Sequence, residues 1–231
     1  EERRKDKPDS GLPEVELAEY TINQNTAEIL GDIYKRKPDV IGFSCYIWNM
    51  ELIGRLVSLL HKVMPDIPVW LGGPEVSYEA EEWLSRLPKV RGIMIGEGEE
   101  TFSELLEYYG GGRDSLAEIA GLCYREDNGT RMRPADETEA PICRTAHRPP
   151  IDLSSIPFPY REIFREKQNL FAHKIIYYES SRGCPFSCSY CLSSLDRKLR
   201  FRDPELVREE LRFFLDARVA QVKFIDRTFN C

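Results

Sequence analysis

The stretch from residue 39 to residue 46 is Asp39-Val40-Ile41-Gly42-Phe43-Ser44-Cys45-Tyr46, a nearly uncharged run that predicts a strand buried on both faces. Residues 51–63 follow it and repeat apolar side chains at helical spacing. The predicted buried stripe of this helix consists of Ile53, Leu56, Val57, Leu60 and Met64. A second short strand is predicted at residues 69–71. This alternation of strand and helix is typical of a parallel α/β sheet.

The same rhythm extends to both sides of this stretch. Upstream, we predict a strand at residues 15–22 and a helix at residues 26–35. Downstream, the pattern predicts helices at residues 80–87 and 101–109, a strand at 92–95, and an edge hairpin that starts at 121–124 and turns at 127–129. We therefore assign residues 1–133 to one domain. Its first element behaves like a second strand, so we expect the central first strand to be missing.

A second domain is predicted after a linker. Residues 134–170 are rich in proline and polar groups, which favours a connection between domains. The rhythm then restarts in residues 171–231, with strands at 174–178 and 221–225. Asp203 suits the N-cap and Pro204 the first turn of the helix between them, and its predicted buried stripe is Val207, Leu211, Phe214 and Leu215. Two strands and one helix are too few for a barrel, so we expect this domain to be incomplete.

Composition excludes several classes of protein. The 231 residues carry a net charge of −7, and no block of Lys and Arg marks a nucleic-acid surface. No run approaches the ~18 apolar residues of a membrane span, and the charged N-terminus lacks the apolar core of a signal peptide. We therefore expect a cytoplasmic protein with no membrane partner and no nucleic-acid partner.

Three of the seven cysteines are crowded into one predicted loop. The segment Ser181-Arg182-Gly183-Cys184-Pro185-Phe186-Ser187-Cys188-Ser189-Tyr190-Cys191 has the spacing C-x3-C-x2-C. Three thiolates can ligate three irons of a 4Fe-4S cubane and leave the fourth iron open. A structural zinc site usually needs four ligands in two pairs, and no second pair exists here. The other cysteines are scattered and are expected to be buried or incidental thiols; they are Cys45, Cys123, Cys143 and Cys231.

This cysteine motif resembles the signature of the radical S-adenosylmethionine (SAM) superfamily. The resemblance implies that Cys184, Cys188 and Cys191 hold a 4Fe-4S cluster, that SAM chelates the open iron, and that one electron cleaves SAM to a 5′-deoxyadenosyl radical. It also implies SAM contacts from Tyr190 and Phe186. The family's usual Gly-Gly-Glu is absent after the second strand, where Asp226 is the substitute by position; an ordinary strand-end carboxylate is the alternative.

Small residues follow the predicted strands of the first domain. Parallel sheets bind ligands beyond the carboxyl ends of their strands, which here carry Ser44, Gly72-Gly73 and Gly96-Glu97-Gly98. The last of these is only part of a dinucleotide fingerprint, and its carboxylates repel a pyrophosphate, so NAD is rejected. A serine at one strand end and paired glycines at the next resemble the cobalamin-binding domain.

That resemblance implies that cobalamin lies against Ser44, Gly72, Gly73, Gly96 and Gly98. The family's Asp-x-His-x-x-Gly loop would fall at or before residue 1. None of the three histidines, His61, His147 and His173, is placed to replace it.

Taken together, the motifs resemble the cobalamin-binding-domain class of radical SAM proteins. The class implies a Rossmann-like sheet followed by the start of a (βα) partial barrel, and radical methylation or rearrangement of a substrate. A small-molecule substrate and an external electron donor of the flavodoxin or ferredoxin type are the expected partners. Two alternatives stay open: a tRNA methylthiotransferase-like radical SAM enzyme, which needs three further N-terminal cysteines, and a non-catalytic metal-binding module.

Overall fold

A computed structural model describes residues 13–126, 140–166, 174–191 and 198–228. The chain divides into two compact units, Glu1–Pro149 and Pro150–Cys231. Within the described ranges no helix is both long and apolar enough to cross a membrane.

The first unit is built on a five-stranded sheet with the order β1-β2-β3-β4-β5. Its strands are β1 Ile41–Ser44, β2 Val69–Gly72, β3 Gly92–Met94, β4 Leu122–Arg125 and β5 Ile142–Arg144. The first three strands are parallel, as predicted, whereas β4 runs antiparallel to β3 and β5 antiparallel to β4. An antiparallel pair thus follows β3 as predicted, but its second strand, β5, begins at residue 142, inside the predicted linker. The predicted turn at residues 127–129 lies outside the described residues.

Five helices accompany these strands: α1 Thr26–Arg36, α2 Met50–Val63, α3 Pro74–Ser77, α4 Ala80–Arg86 and α5 Gly98–Gly110. The α1 helix starts where the Asn25 side chain accepts a hydrogen bond from the Ala27 amide. Four residues of the predicted α2 stripe are buried: Ile53, Leu56, Val57 and Leu60. Met64 follows the helix and is partly buried against the same core.

Trp70 of β2 packs closely against Gly92 of β3 in the core beside this sheet. Trp70 is 1% exposed, and its indole nitrogen donates to the Tyr109 hydroxyl at 2.7 Å. A Cβ at Gly92, the register partner of Trp70, would lie 2.3 Å from the indole ring. Glycine at residue 92 therefore makes room for the largest side chain in the core.

Two predictions about the start of the chain are wrong. Residues 15–22 form no strand: Val15 and Leu17 are exposed, and none of the described strands pairs with this segment. β1 is not buried on both faces, because Ile41 and Phe43 alternate with the exposed Gly42 and Ser44. Among the described strands it pairs only with β2, so it is an edge strand.

The predicted linker at residues 134–170 also needs correction. Residues 142–144 form β5, whose backbone pairs with β4, and the first unit continues to Pro149. The segment further contains α6, Tyr160–Glu166, which belongs to the second unit. Proline and polar content did not distinguish a short edge strand from a connection.

The second unit has a parallel pair of strands, β6 Ile175–Tyr178 and β9 Gln221–Phe224. Two very short strands, β7 Ser181–Arg182 and β8 Arg200–Phe201, pair antiparallel. Between β8 and β9 lies α7, Pro204–Asp216. Asp203 caps it as predicted, its carboxylate accepting from the Glu205 amide at 2.7 Å. This β-α-β arrangement agrees with the start of a (βα) barrel.

A buried polar group lies against the aromatic core of the second unit. Arg202 donates to both carboxylate oxygens of Glu210, and the Tyr178 hydroxyl donates to the same carboxylate at 2.6 Å. Burial, followed by this hydrogen bond, raises the pKa of Tyr178. Glu210 thus takes a buried position on α7, while the predicted core residue Leu215 is 76% exposed. Phe214, which belongs to the same predicted stripe, is buried as expected.

Candidate functional site

The carboxyl ends of the three parallel strands lie side by side in the first unit. Ser44 is the register partner of Gly72, and Gly72 is the register partner of Met94. The sequence-predicted neighbours Ser44 and Gly72 are therefore brought together. Met94 was missed, because a methionine in a short apolar strand carries no local signal of a site.

The paired glycines allow the loops after β1 and β2 to touch. The Gly72 carbonyl accepts from the Cys45 amide at 2.7 Å. Gly73 has φ 112° and ψ 174°, a conformation essentially restricted to glycine. A Cβ on Gly73 would lie 2.5 Å from the Cys45 carbonyl oxygen. Gly73 is thus needed for backbone packing between the loops, independently of any ligand.

The loop after β3 has more space. Gly96 has φ 80°, and a Cβ there would meet no heavy atom within 4 Å; the same space surrounds Gly98, the first residue of α5. Both glycines are exposed. Small residues with open surroundings at a strand end leave room for a ligand to approach the backbone.

Ser77 connects the loops after β2 and β3 and was not identified from the sequence. Its buried hydroxyl donates to the Gly73 carbonyl at 2.8 Å and accepts from the Gly96 amide at 3.2 Å. With the contact between Cys45 and Gly72, the three strand-end loops form one continuous hydrogen-bonded edge.

An exposed aromatic surface adjoins Ser44. The rings of Tyr46 and Trp48 stack with centroids 4.6 Å apart, and Trp48 is 64% exposed. Asn49 shapes this loop, since its amide side chain accepts from the Tyr46 amide and donates to the Ser44 carbonyl. The edge therefore presents both glycine backbone and a flat apolar surface.

The cysteine loop of the second unit is closed at its base by β7 and β8. Gly183, directly after β7, has φ 98°, and a Cβ there would lie 2.3 Å from the Lys198 carbonyl oxygen. Only glycine fits this approach of the two chain segments. The tight loop predicted around Gly183 is thus observed.

The three predicted ligand thiols differ in exposure. Cys184 and Cys191 are half-buried and Cys188 is exposed. The Cys184 sulfur accepts a hydrogen bond from the Thr228 hydroxyl at 3.3 Å, and this contact, with the Phe186 amide, lowers the pKa of the thiol. Over the described ranges, no three His, Cys, Asp or Glu side chains converge as a metal site. The predicted SAM contacts Phe186 and Tyr190 are 60% and 90% exposed.

Residues that follow β9 form hydrogen bonds with residues at the end of β6 and directly after it. The Ile225 amide donates to the Tyr178 carbonyl at 2.9 Å, continuing the strand pair. Asp226 accepts from the Ser180 amide at 2.8 Å and also from the Ser180 hydroxyl. Thr228 then reaches Cys184. These successive contacts place the first cysteine of the motif at the carboxyl ends of β6 and β9.

The remaining described cysteines lie in or beside the sheet of the first unit, where Cys123 and Cys143 are on paired strands. Cys45 follows β1, Cys123 lies in β4 and Cys143 in β5. Burial raises the pKa of Cys45 to about 12 and that of Cys123 to about 11. Both therefore behave as the buried core thiols that were predicted. Cys231 and His173 lie outside the described residues.

Residues 9–106 match the family model described as B12 binding domain. Together with the strand-end geometry, this match defines the first unit as a Rossmann-like domain of the B12-binding type.

The chain is also similar to two methyltransferases along most of its own length. It is 30% identical over 219 residues to an uncharacterized methyltransferase of Pyrococcus horikoshii, covering 93% of this chain and 44% of that protein. It is 29% identical over 204 residues to the cobalamin-dependent radical SAM methyltransferase TokK of Streptomyces tokunonensis, covering 84% of this chain and 28% of that protein. The chain thus spans less than half the length of these relatives.

Solved structures share the fold. The cobalamin-dependent SAM radical enzyme OxsB with aqua-cobalamin bound superposes with a TM-score of 0.65 at 20% identity, covering 90% of this chain and 28% of that one. The radical SAM methyltransferase TsrM from Kitasatospora setae gives 0.56 at 19% identity, covering 88% and 40%. Together, the B12-binding family model, the similar methyltransferases and the shared fold confirm the predicted resemblance to the cobalamin-binding-domain class of radical SAM proteins.

Proposed function

We propose that this protein acts as a cobalamin-binding radical SAM enzyme that methylates or rearranges a small-molecule substrate. The observation that carries the proposal is the cysteine loop, which places three thiols within eight positions after the carboxyl end of β6. The first unit of the same chain is of the B12-binding type. An external electron donor of the flavodoxin or ferredoxin type would supply the reducing electron.

In this proposal Cys184, Cys188 and Cys191 hold a 4Fe-4S cluster. The donor set suits iron-sulfur chemistry, because three cysteine thiols from one loop leave one iron without a protein ligand. When bound, the cluster and SAM supply a 5′-deoxyadenosyl radical by one-electron reduction of the sulfonium, and methylcobalamin supplies a methyl group. The chain's own part is to position these groups and to exclude water.

Three residues of the second unit are assigned to SAM. Phe186 and Tyr190 offer exposed rings beside the cysteines for the adenine. Asp226 already accepts two hydrogen bonds from Ser180, and its remaining lone pairs are those proposed for the SAM amino group. Its contact with Ser180 also fixes the carboxylate in place.

The cobalamin assignment uses the strand-end edge. Ser44, Gly72 and Gly73 bring the loops after β1 and β2 together, and Gly96 and Gly98 leave open space beside the backbone. The stacked rings of Tyr46 and Trp48, of which Trp48 is exposed, add apolar area in the loop after β1. An edge that combines open backbone with apolar area suits a large corrinoid whose rim carries amide groups.

Iron content tests the cluster assignment. After anaerobic reconstitution of the full-length protein, we expect about four irons and a matching amount of acid-labile sulfide per chain. Cys188→Ala should lose most of this iron and all SAM cleavage, because a ligand is removed. Cys143→Ala, which alters a half-buried thiol of β5, is the matched control and should retain both. Stoichiometric zinc without iron would overturn the assignment.

Corrinoid retention tests the other cofactor. The wild-type full-length protein, equilibrated with hydroxocobalamin and desalted, should keep the corrinoid absorbance. A protein with about eight irons and no corrinoid would instead match a methylthiotransferase with two clusters. A protein with a cluster but no 5′-deoxyadenosine after addition of SAM and reductant would be a binding module.

A further inference from the structure

One contact of the cysteine loop has no part in ligating a metal. The Thr228 hydroxyl donates to the Cys184 sulfur at 3.3 Å across a separation of 44 residues. Both residues are half-buried, so the bond is shielded in part from competing water. The pairing of β6 with β9 sets this geometry, since the two residues follow the paired ends of those strands.

We propose that Thr228 sets the reduction potential of the cluster through this hydrogen bond; the inference rests on the proposed function. A hydrogen bond to a ligating sulfur stabilises negative charge on it. The reduced cluster carries one more electron than the oxidised cluster, so it gains more from the bond. Hydrogen bonds to the sulfurs are among the factors that set cluster potentials. Thr228 thus makes the cluster easier to reduce by its external donor.

The hydrogen bond from Thr228 can be removed without removing the other contacts that position its segment. Asp226 fixes the same segment through two hydrogen bonds to Ser180, and Ile225 extends the strand pair to Tyr178. None of these contacts involves the Thr228 hydroxyl, so we expect them to remain when it is removed. Thr228→Val keeps the branched shape of the side chain without the donor, and Thr228→Ser keeps the donor without the methyl group.

The experiment is a redox titration of full-length wild type, Thr228→Val and Thr228→Ser after anaerobic reconstitution. Dithionite is the reductant, and the reduced cluster is followed by electron paramagnetic resonance. We expect the midpoint potential of Thr228→Val to be more negative than that of wild type, and the Thr228→Ser potential to match wild type. The signal comes only from protein that carries a cluster, so partial iron loss does not mask the shift.

The outcomes separate the inference from the function on which it rests. Equal potentials in wild type and Thr228→Val would overturn the role of Thr228 and leave the cluster assignment intact. A potential shifted equally in Thr228→Val and Thr228→Ser would also overturn it, because the hydroxyl would then be irrelevant. A wild-type protein that takes up no iron would overturn the proposed function itself.

Discussion

At the scale of single residues, the strand-end edge depends on which glycines face backbone and which face open space. Gly73 and Gly96 both have positive φ, at 112° and 80°. A Cβ at Gly73 would meet the Cys45 carbonyl at 2.5 Å, whereas one at Gly96 would meet nothing within 4 Å. Both glycines follow a parallel strand of the sheet, but their structural roles differ. Gly73 joins two loops, and Gly96 leaves a space.

This difference predicts unequal costs for the same substitution. Gly73→Ala should destabilise the first unit by about 3 kcal/mol, because a glycine-only conformation is combined with a backbone clash. Gly96→Ala should cost roughly 1 kcal/mol, the penalty of a left-handed residue. Urea denaturation of the two variants and wild type measures both values. If Gly96→Ala retains its fold but loses corrinoid, the open space is used by the ligand; equal stability losses would refute the contrast.

At the scale of elements, α5 is held in place by a side chain from beyond β5. Arg148 donates to the Thr101 hydroxyl at 2.7 Å and to the Ala120 carbonyl, and pairs with Glu100 and Glu104. These carboxylates lie in the first two turns of α5, directly after the open glycines Gly96 and Gly98. The position of the loop after β3 thus depends on a residue outside the matched range of 9–106.

Removing this guanidinium should loosen the start of α5. Arg148→Met is expected to lower stability by about 2 kcal/mol, since several partly buried charge-assisted bonds are lost. Amide hydrogen exchange should become faster at residues 98–104. Arg113→Met is the matched control, because Arg113 also pairs with Glu104 but otherwise binds Glu107, further along the helix. It should cost below about 1 kcal/mol and leave exchange in the first turn unchanged. Equal exchange in both variants would contradict the role of Arg148.

At the scale of the whole molecule, the sequence predicted what is local and repetitive. The α2 stripe, the Asp203 cap and the alternation of parallel strands follow from residue periodicity and capping chemistry. The cysteine loop was equally visible, because its spacing is local. Ser77 and Thr228 were not, since each acts on a residue brought near only by strand pairing.

The failed predictions have the same physical origin. β5 spans three residues beside Pro141, too short for any periodicity, and exists because β4 offers it a partner. The opposite error occurred at residues 15–22, where strand-forming residues lack a partner among the described strands. Glu210 is buried on α7 because Arg202 and Tyr178 satisfy it, a combination that apolar periodicity cannot reveal.

The extent of the first unit leads to a prediction about excised pieces of the chain. The sequence predicted a first domain that ends at residue 133, whereas the structure adds β5 and Arg148 to the same unit. The Thr145 amide donates to the Leu122 carbonyl at 2.9 Å, and the Gly121 amide donates to the Ala146 carbonyl at 2.8 Å. A piece ending at residue 126 would lose these bonds and the partner strand of the buried Cys123. The structure therefore places the end of the folding unit after Arg148.

We expect residues 1–149 to unfold in one cooperative urea transition. Residues 1–126 should unfold at distinctly lower urea or bind dyes that report exposed apolar surface, because the backbone of β4 and its buried side chains become accessible. Residues 1–149 carrying Arg148→Met provide an intermediate case, in which β5 is present and the contact with α5 is absent. Its stability should fall between the two. If residues 1–126 match residues 1–149 in midpoint and cooperativity, then β5 and Arg148 contribute nothing to the unit, and the predicted domain end at residue 133 is correct.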